Sequence, residues 1–259
     1  MKAEKKEFDE FLDEGWDTFN RRGVGALLQV LTEQLNLQSP STPYRNESLI
    51  APEKLNWLDV GCGTGEITED IRKHFTPKYL KGIDISQKCI KYAKANFKDI
   101  AFQTADIMTY KDNKKYDVIS LINVVHHEPN TKALLAKCHS LLKKGGQIIT
   151  IDPNARCFVM QLFRGERSPI RSKKLKTSEE RLIDYYETQV AMASLEMRNI
   201  KSTSSYLFTW NDKYFKQLFG SLWRVVYPFN TYCRMANKCR LSDKGGIFIV
   251  TSGARAKDE

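Results

Sequence analysis

The sequence predicts an α/β fold organised around a doubly wound, mostly parallel sheet. Three observations point to it. From about residue 55, short β-rich runs alternate with helical runs. A glycine-rich turn, Gly61-Cys62-Gly63-Thr64-Gly65, follows the first β-rich run and opens a helix. Gly145-Gly146 then ends a helix and starts a strand. Strands that alternate with helices pair in parallel, with helices on both faces of the sheet.

Taken in order, residues 1–50 read as a polar helical cap. Val24, Leu27, Leu28, Leu31 and Leu35 fall at helical spacing and form one apolar stripe. The run from Gln38 to Pro43, with Pro40 and Pro43, breaks that helix and reads as a linker. The core is expected over 51–152, with strands at 55–60, 79–84, 100–104, 116–122 and 146–152. Helices are expected between them at 66–75, 87–97 and 132–142. The rhythm breaks over 153–205, which is basic at first and then reads as helical over 178–199, an insert that covers the core. The alternation resumes over 206–259, with a helix near 211–219, a strand near 223–227 and a last strand at 246–252.

Composition narrows the function class. No stretch approaches the roughly 20 apolar residues of a membrane span, and the charged start Met1–Glu7 lacks the apolar run of a secretory signal. Six cysteines, none in a Cys-x-x-Cys pair, read as reduced thiols of a cytoplasmic protein rather than a disulfide framework or a zinc site. The net charge of +10 is uneven: residues 1–150 hold 22 basic and 20 acidic side chains, whereas 151–259 hold 19 and 11. That excess favours anionic partners of some kind.

The glycine turn carries most of the functional inference. Its glycines let the backbone bend sharply and approach a ligand with no Cβ in the way. The helix that follows aims its free N–H groups at that ligand, and ligands of open α/β sheets sit at the carboxyl ends of the strands. A dinucleotide fingerprint would read GxGxxG. Here the third glycine comes one place early, and Glu66 stands where a pyrophosphate would repel it. A nicotinamide or flavin cofactor is therefore disfavoured.

Five segments extend the pattern: Leu58–Gly65, Gly82-Ile83-Asp84-Ile85-Ser86, Ala105-Asp106-Ile107, Tyr116-Asp117-Val118-Ile119 and Leu142-Lys143-Lys144-Gly145-Gly146. In this order and spacing they resemble the class I S-adenosylmethionine-dependent methyltransferases, and the strand-four end Asn123-Val124-Val125-His126-His127 resembles the ubiquinone-type and natural-product branches. The resemblance runs from about Leu55 to Asp152. It implies a Rossmann-like sheet of about seven strands with the last antiparallel, and S-adenosylmethionine as cofactor.

The resemblance also implies site roles. Gly61, Cys62, Gly63 and Gly65 would form the cofactor loop, and Asp59, just before it, would orient the loop and the amino end of the cofactor. Asp84 and Ile85, at the end of the second strand, would hold the ribose. Asp106 and Ile107 would meet the adenine, and Asn123 would lie under the cofactor. His126 and His127 follow the fourth strand, where an acceptor would approach, and a histidine there can take a proton from a hydroxyl or amine. His127 is the favoured base. No third ligand accompanies the pair, so a metal role is not expected. After Asp152-Pro153, seven basic residues face one acid as far as Lys176. Arg156 and Arg164 are the candidate acceptor contacts from this run, and Tyr185 and Tyr186, with Tyr206, Phe208 and Trp210, the candidate aromatic pocket.

Together these residues predict a methyltransferase for a small acidic or aromatic molecule. An RNA methyltransferase is the alternative, favoured by the charge asymmetry. It is opposed by the absence of an Asn/Asp-Pro-Pro-Tyr/Phe element after the fourth strand and of a recognisable RNA-binding module. A non-catalytic cofactor-binding protein is the third reading.

Overall fold

The computed structural model describes residues 21–38, 49–158, 160, 161, 165, 181–205 and 246–257. Among them, seven strands form one sheet in the order β3-β2-β1-β4-β5-β7-β6. They are β1 (Asn56–Val60), β2 (Tyr79–Asp84), β3 (Ala101–Thr104), β4 (Tyr116–Ile122), β5 (Leu142–Pro153), β6 (Arg198–Ser205) and β7 (Phe248–Ala254). The helices are α1 (Arg21–Gln34), α2 (Glu66–Phe75), α3 (Gln87–Asn96), α4 (Thr131–Leu141) and α5 (Tyr185–Ala193). β1 pairs in parallel with β2 and β4, β2 with β3, and β4 with β5. β7 runs antiparallel to both β5 and β6.

The central strands are apolar on both faces because helices cover both. One face packs Trp57, Ile71, Phe75, Ile149 and Ile151 together. The other packs Leu58, Ile119, Leu121, Leu134, Leu135 and Ile148. Trp57 stacks on Phe75 with ring centroids 5.5 Å apart, joining β1 to α2. The stripe of α1 joins the first of these clusters: Leu27, Leu28, Leu31 and Leu35 are all buried. Gln147 donates to the Leu35 carbonyl and Lys201 to that of Glu33. The described part of the N-terminal segment is thus a layer of the core.

Two sequence expectations need correcting. The helix expected over 178–199 is confined to Tyr185–Ala193, and Arg198–Ser205 is a strand on the sheet edge. The stretch 153–205 therefore holds a core strand as well as covering segments. Ser202, Thr203, Ser204 and Ser205 are paired with β7, whose hydrogen bonds outweigh the weak local preference of a serine-rich run. β5 also begins earlier than expected, at Leu142, because Tyr116 of β4 pairs with it before the register shifts between Tyr116 and Val118. The helix expected near 211–219 and the strand near 223–227 lie outside the described residues.

Candidate active site

The parallel order places the carboxyl ends of β2, β1, β4 and β5 side by side, and the loops after them form the site. Gly61 and Cys62 donate their N–H groups to the Ile83 carbonyl at 2.8 and 3.0 Å, so the loop after β1 is laced to the end of β2. The three glycines have positive φ, the left-handed region that an L side chain rarely adopts. They serve different ends. A Cβ on Gly61 would lie 2.4 Å from Val124 Cγ2, and one on Gly65 would lie 2.8 Å from Phe102 Cζ. At Gly63 (φ +52°) a Cβ would meet nothing within 4 Å. Gly61 and Gly65 are therefore glycine for close packing, while Gly63 faces open space at the mouth of the loop.

Asp84 reaches back to this cradle. Its Oδ2 accepts the Gly63 N–H at 2.9 Å and its Oδ1 accepts the Ser86 N–H at 2.8 Å. The helix cap is Ser86, whose Oγ accepts the Cys89 N–H, so Asp84 is not needed for that task. The next strand end is tied in by the Ala105 N–H, which donates to the Asp84 carbonyl at 2.9 Å. Asp106 turns the chain there: its Oδ1 accepts the Met108 N–H, beside half-buried Ile107. Ile85 is half-buried next to Asp84.

Asp59 sits below the loop. It is buried, and its carboxylate accepts from Thr68 Oγ1 and Ser120 Oγ, both at 2.7 Å. Ser120 in turn accepts from Trp57 Nε1 at 2.9 Å. Asp59 thus bolts β1 to α2 and to β4. Burial pushes its carboxyl up to about 6 despite the two hydroxyl donors. The Cys62 thiol is also pushed well above its ordinary range, by burial first and then by the charges of Asp59 and Asp84.

The end of β4 supplies the opposite wall. Asn123 adopts φ +59°, a left-handed turn that Asn tolerates better than most residues, and donates its N–H to the Ile151 carbonyl. His126 is buried, with Nδ1 2.8 Å from Asp152 Oδ1, and that oxygen also accepts the His126 backbone N–H at 3.1 Å. Burial pushes the Asp152 carboxyl up. His127 is half-buried and packs its ring on that of His126, with centroids 4.0 Å apart. The two histidines therefore differ: His126 is held inside by Asp152, and His127 stands at the rim.

Beyond β5, Arg156, Tyr185 and Tyr186 come together as one cluster. The Arg156 guanidinium lies 4.4 Å from the Tyr185 ring centre and 4.9 Å from that of Tyr186, and its Nε is 3.0 Å from Asp184 Oδ2. Tyr185 is buried and Tyr186 exposed. Arg164, Tyr206, Phe208 and Trp210 lie outside the described residues. An open groove of about 730 Å³ runs between the start of α4 and α5, lined by Thr131, Lys132, Tyr186 and Val190 among others. Its lining shares no residue with the glycine loop.

Sequence reasoning missed Arg181, Thr131, Glu187 and the partnership of Asp152 with His126. Asp152 had a faint signal, a carboxylate closing an apolar strand next to the strand that leads to the histidines. Arg181 had none, because its partners are 50 or more residues away in the chain or on a helix whose start was misplaced.

A fold of this topology, with a glycine cradle at the end of its first strand and a carboxylate at the end of its second, defines a class of methyl-transfer enzymes. A family described as a methyltransferase domain matches residues 26–201. This chain belongs to that family, and it is an S-adenosylmethionine-dependent methyltransferase. It is similar to the ubiquinone biosynthesis O-methyltransferase of Coxiella burnetii, at 28% identity over 170 residues, 63% of this chain and 69% of that protein. The enzyme of the same name from Pelagibacter ubique is 27% identical over 180 residues, 64% of this chain and 71% of that one. The fold also resembles a SAM-dependent methyltransferase from Archaeoglobus fulgidus, with TM-score 0.58 and 17% identity over 95% of this chain and 99% of that one. The plantazolicin methyltransferase solved with SAH is similar too, with TM-score 0.59 and 16% identity over 98% of this chain and 91% of that one. No helix among the described residues is long and apolar enough to cross a membrane.

Proposed function

We propose that this enzyme transfers the methyl group to a hydroxyl of a small aromatic acceptor. The observation that supports this most is that the strand ends next to β1 carry half-buried His127 after β4 and the Arg156–Tyr185–Tyr186 cluster beyond β5. The O-methyltransferase relatives support the same acceptor chemistry.

The residues present fit the cofactor. Gly63 leaves its side of the loop open, and Asp84, which already holds the loop, has two oxygens suited to ribose hydroxyls. Asp106 and Ile107 would meet the adenine, and Asn123 would lie beneath. Asp59 acts from below by holding the loop, since its carboxylate is bound to Thr68 and Ser120. When bound, S-adenosylmethionine supplies a methyl group on a positively charged sulfur, open to in-line attack by the acceptor oxygen. The protein holds that oxygen in line, and such positioning supplies about 7–11 kcal/mol of a barrier. His127 receives the acceptor proton if the hydroxyl arrives un-ionised. Tyr186 offers a ring face to an aromatic acceptor. Arg156, though paired with Asp184, keeps a guanidinium edge for an acid group on it. We place the enzyme in the cytoplasm.

The test is incubation with labelled S-adenosylmethionine and a panel of phenols, including 3,4-dihydroxybenzoate and caffeate, with total tRNA as a separate arm. Label in an O-methylated phenol supports the reading. Label only in tRNA, with binding that falls steeply as salt rises, would overturn it in favour of the RNA alternative suggested by the basic C-terminal half.

A further inference from the structure

We infer that Arg181 is the positioning residue of the acceptor wall, because it holds the carbonyls of His126 and Glu128, the residues before and after His127, the first through its backbone and the second through its guanidinium. Its backbone N–H donates to the His126 carbonyl at 3.3 Å, and its Nη2 donates to the Glu128 carbonyl at 3.1 Å. The same guanidinium forks onto Glu187 of α5, with Nη1 2.6 Å from Oε2 and Nη2 2.7 Å from Oε1. Nη2 also lies 2.6 Å from Thr131 Oγ1, at the first turn of α4. Thr131 Oγ1 itself donates to Glu187, which closes a ring of three side chains.

The position of Arg181 is fixed by the sheet. Ile183 donates to the Pro153 carbonyl at 2.8 Å and accepts from the Ala155 N–H at 2.9 Å, so the chain just before α5 runs as a short strand beside the end of β5. From there one side chain reaches the turn after β4, the start of α4 and the start of α5. The planar guanidinium spans this junction with two nitrogens, Nη1 and Nη2, where lysine has one, and Nη2 shares its two hydrogens among Glu128, Thr131 and Glu187. The junction also bears on Glu187: burial acts to raise its carboxyl, and Arg181 and Thr131 more than reverse this.

His127 is thus constrained twice. The turn that carries it is tied to Arg181 at the His126 and Glu128 carbonyls, and its ring rests on His126, itself held by Asp152. The glycine loop and Asp84, built on β1 and β2, make none of these bonds. Arg181 therefore acts on the acceptor side through His127 and makes no bond to the glycine loop or Asp84. The importance of His127 in turnover rests on the function proposed above; its placement by Arg181 does not.

The experiment uses the full chain labelled with ¹⁵N-histidine, whose four imidazoles are assigned by single substitutions and followed by long-range ¹H–¹⁵N spectra. In Arg181→Gln the His127 ring signals move or broaden, while affinity for S-adenosylhomocysteine stays within about twofold of wild type, as for independent sites. Arg181→Lys shows a smaller change of the same kind, and Glu187→Gln, which loosens the fork but keeps both carbonyl bonds, a smaller one still. With a phenol that the wild type methylates, Arg181→Gln lowers kcat and not the cofactor KM, and it costs nothing further in a His127→Ala background. His127 signals unchanged in a folded Arg181→Gln or Arg181→Lys protein would overturn the inference, as would fully additive losses in the double variant. If the wild type methylates no phenol, the acceptor reading fails while the imidazole spectra still decide the role of Arg181.

Discussion

At the scale of single residues, the glycine loop separates two physical demands that look identical in a motif. Gly61 and Gly65 are packed against Val124 and Phe102, whereas Gly63 faces open space. Each has positive φ, so any side chain there costs about 1–2 kcal/mol in backbone strain. Gly65→Ala adds a clash with an aromatic ring, and overpacking of this kind costs typically about 1–3 kcal/mol more. We predict that Gly65→Ala lowers the melting temperature markedly. Gly63→Val costs less stability but fills the cradle, and abolishes S-adenosylhomocysteine binding by calorimetry. Equal thermal losses in the two variants would contradict this division. The spacing of the glycines was readable from the sequence; which of them are packed and which faces open space was not, because Phe102 and Val124 lie on other strands and loops.

At the scale of elements, Asp59 shows how a motif residue can act through the framework. It joins β1, α2 and β4 through Thr68 and Ser120, and burial raises its carboxyl from 3.8 to about 6. The folded chain keeps a proton on Asp59 at pH values where the unfolded chain has lost it. Its contribution to stability is therefore complete below the unfolded value and is lost as pH rises through about 6. We predict that the melting temperature of the wild type, taken relative to that of Asp59→Asn, falls between pH 4 and pH 6, the variant itself costing about 1 kcal/mol for its altered hydrogen bonds. A slope identical in the variant would contradict the assignment. Element positions themselves were legible where periodicity was strong. β2, β4 and α2 fall where the residue pattern places them, since their apolar residues face covered sheet surfaces. The helix expected over 178–199 overran the start of β6 and the strand itself was not foreseen, because Ser202–Ser205 carries no strand pattern of its own and takes its conformation from β7.

At the scale of the whole molecule, the site exists because four strand ends lie side by side in the order β2-β1-β4-β5. The glycine loop and Asp84 lie close together in sequence, on two consecutive βα units, and so could be read from motifs. The proposed acceptor side draws on the turn after β4, the end of β5 and the segment before α5. Its key bonds, such as Arg181 to Glu128, span 53 residues. Local pattern carries no trace of such a bond, and only the pairing of Asn154 with Ile183 brings its partners together.

The central claim is that the carboxylate at the end of β2, reaching back to the glycine turn, grips the sugar of the cofactor. Calorimetric titration of S-adenosylhomocysteine into the wild type and into Asp84→Ala tests it most directly. Hydrogen bonds to a charged group contribute about 1.5–3 kcal/mol, so the variant should bind roughly ten- to a hundredfold more weakly while remaining folded. Unchanged affinity in a folded Asp84→Ala protein, or no binding by the wild type, would contradict the account.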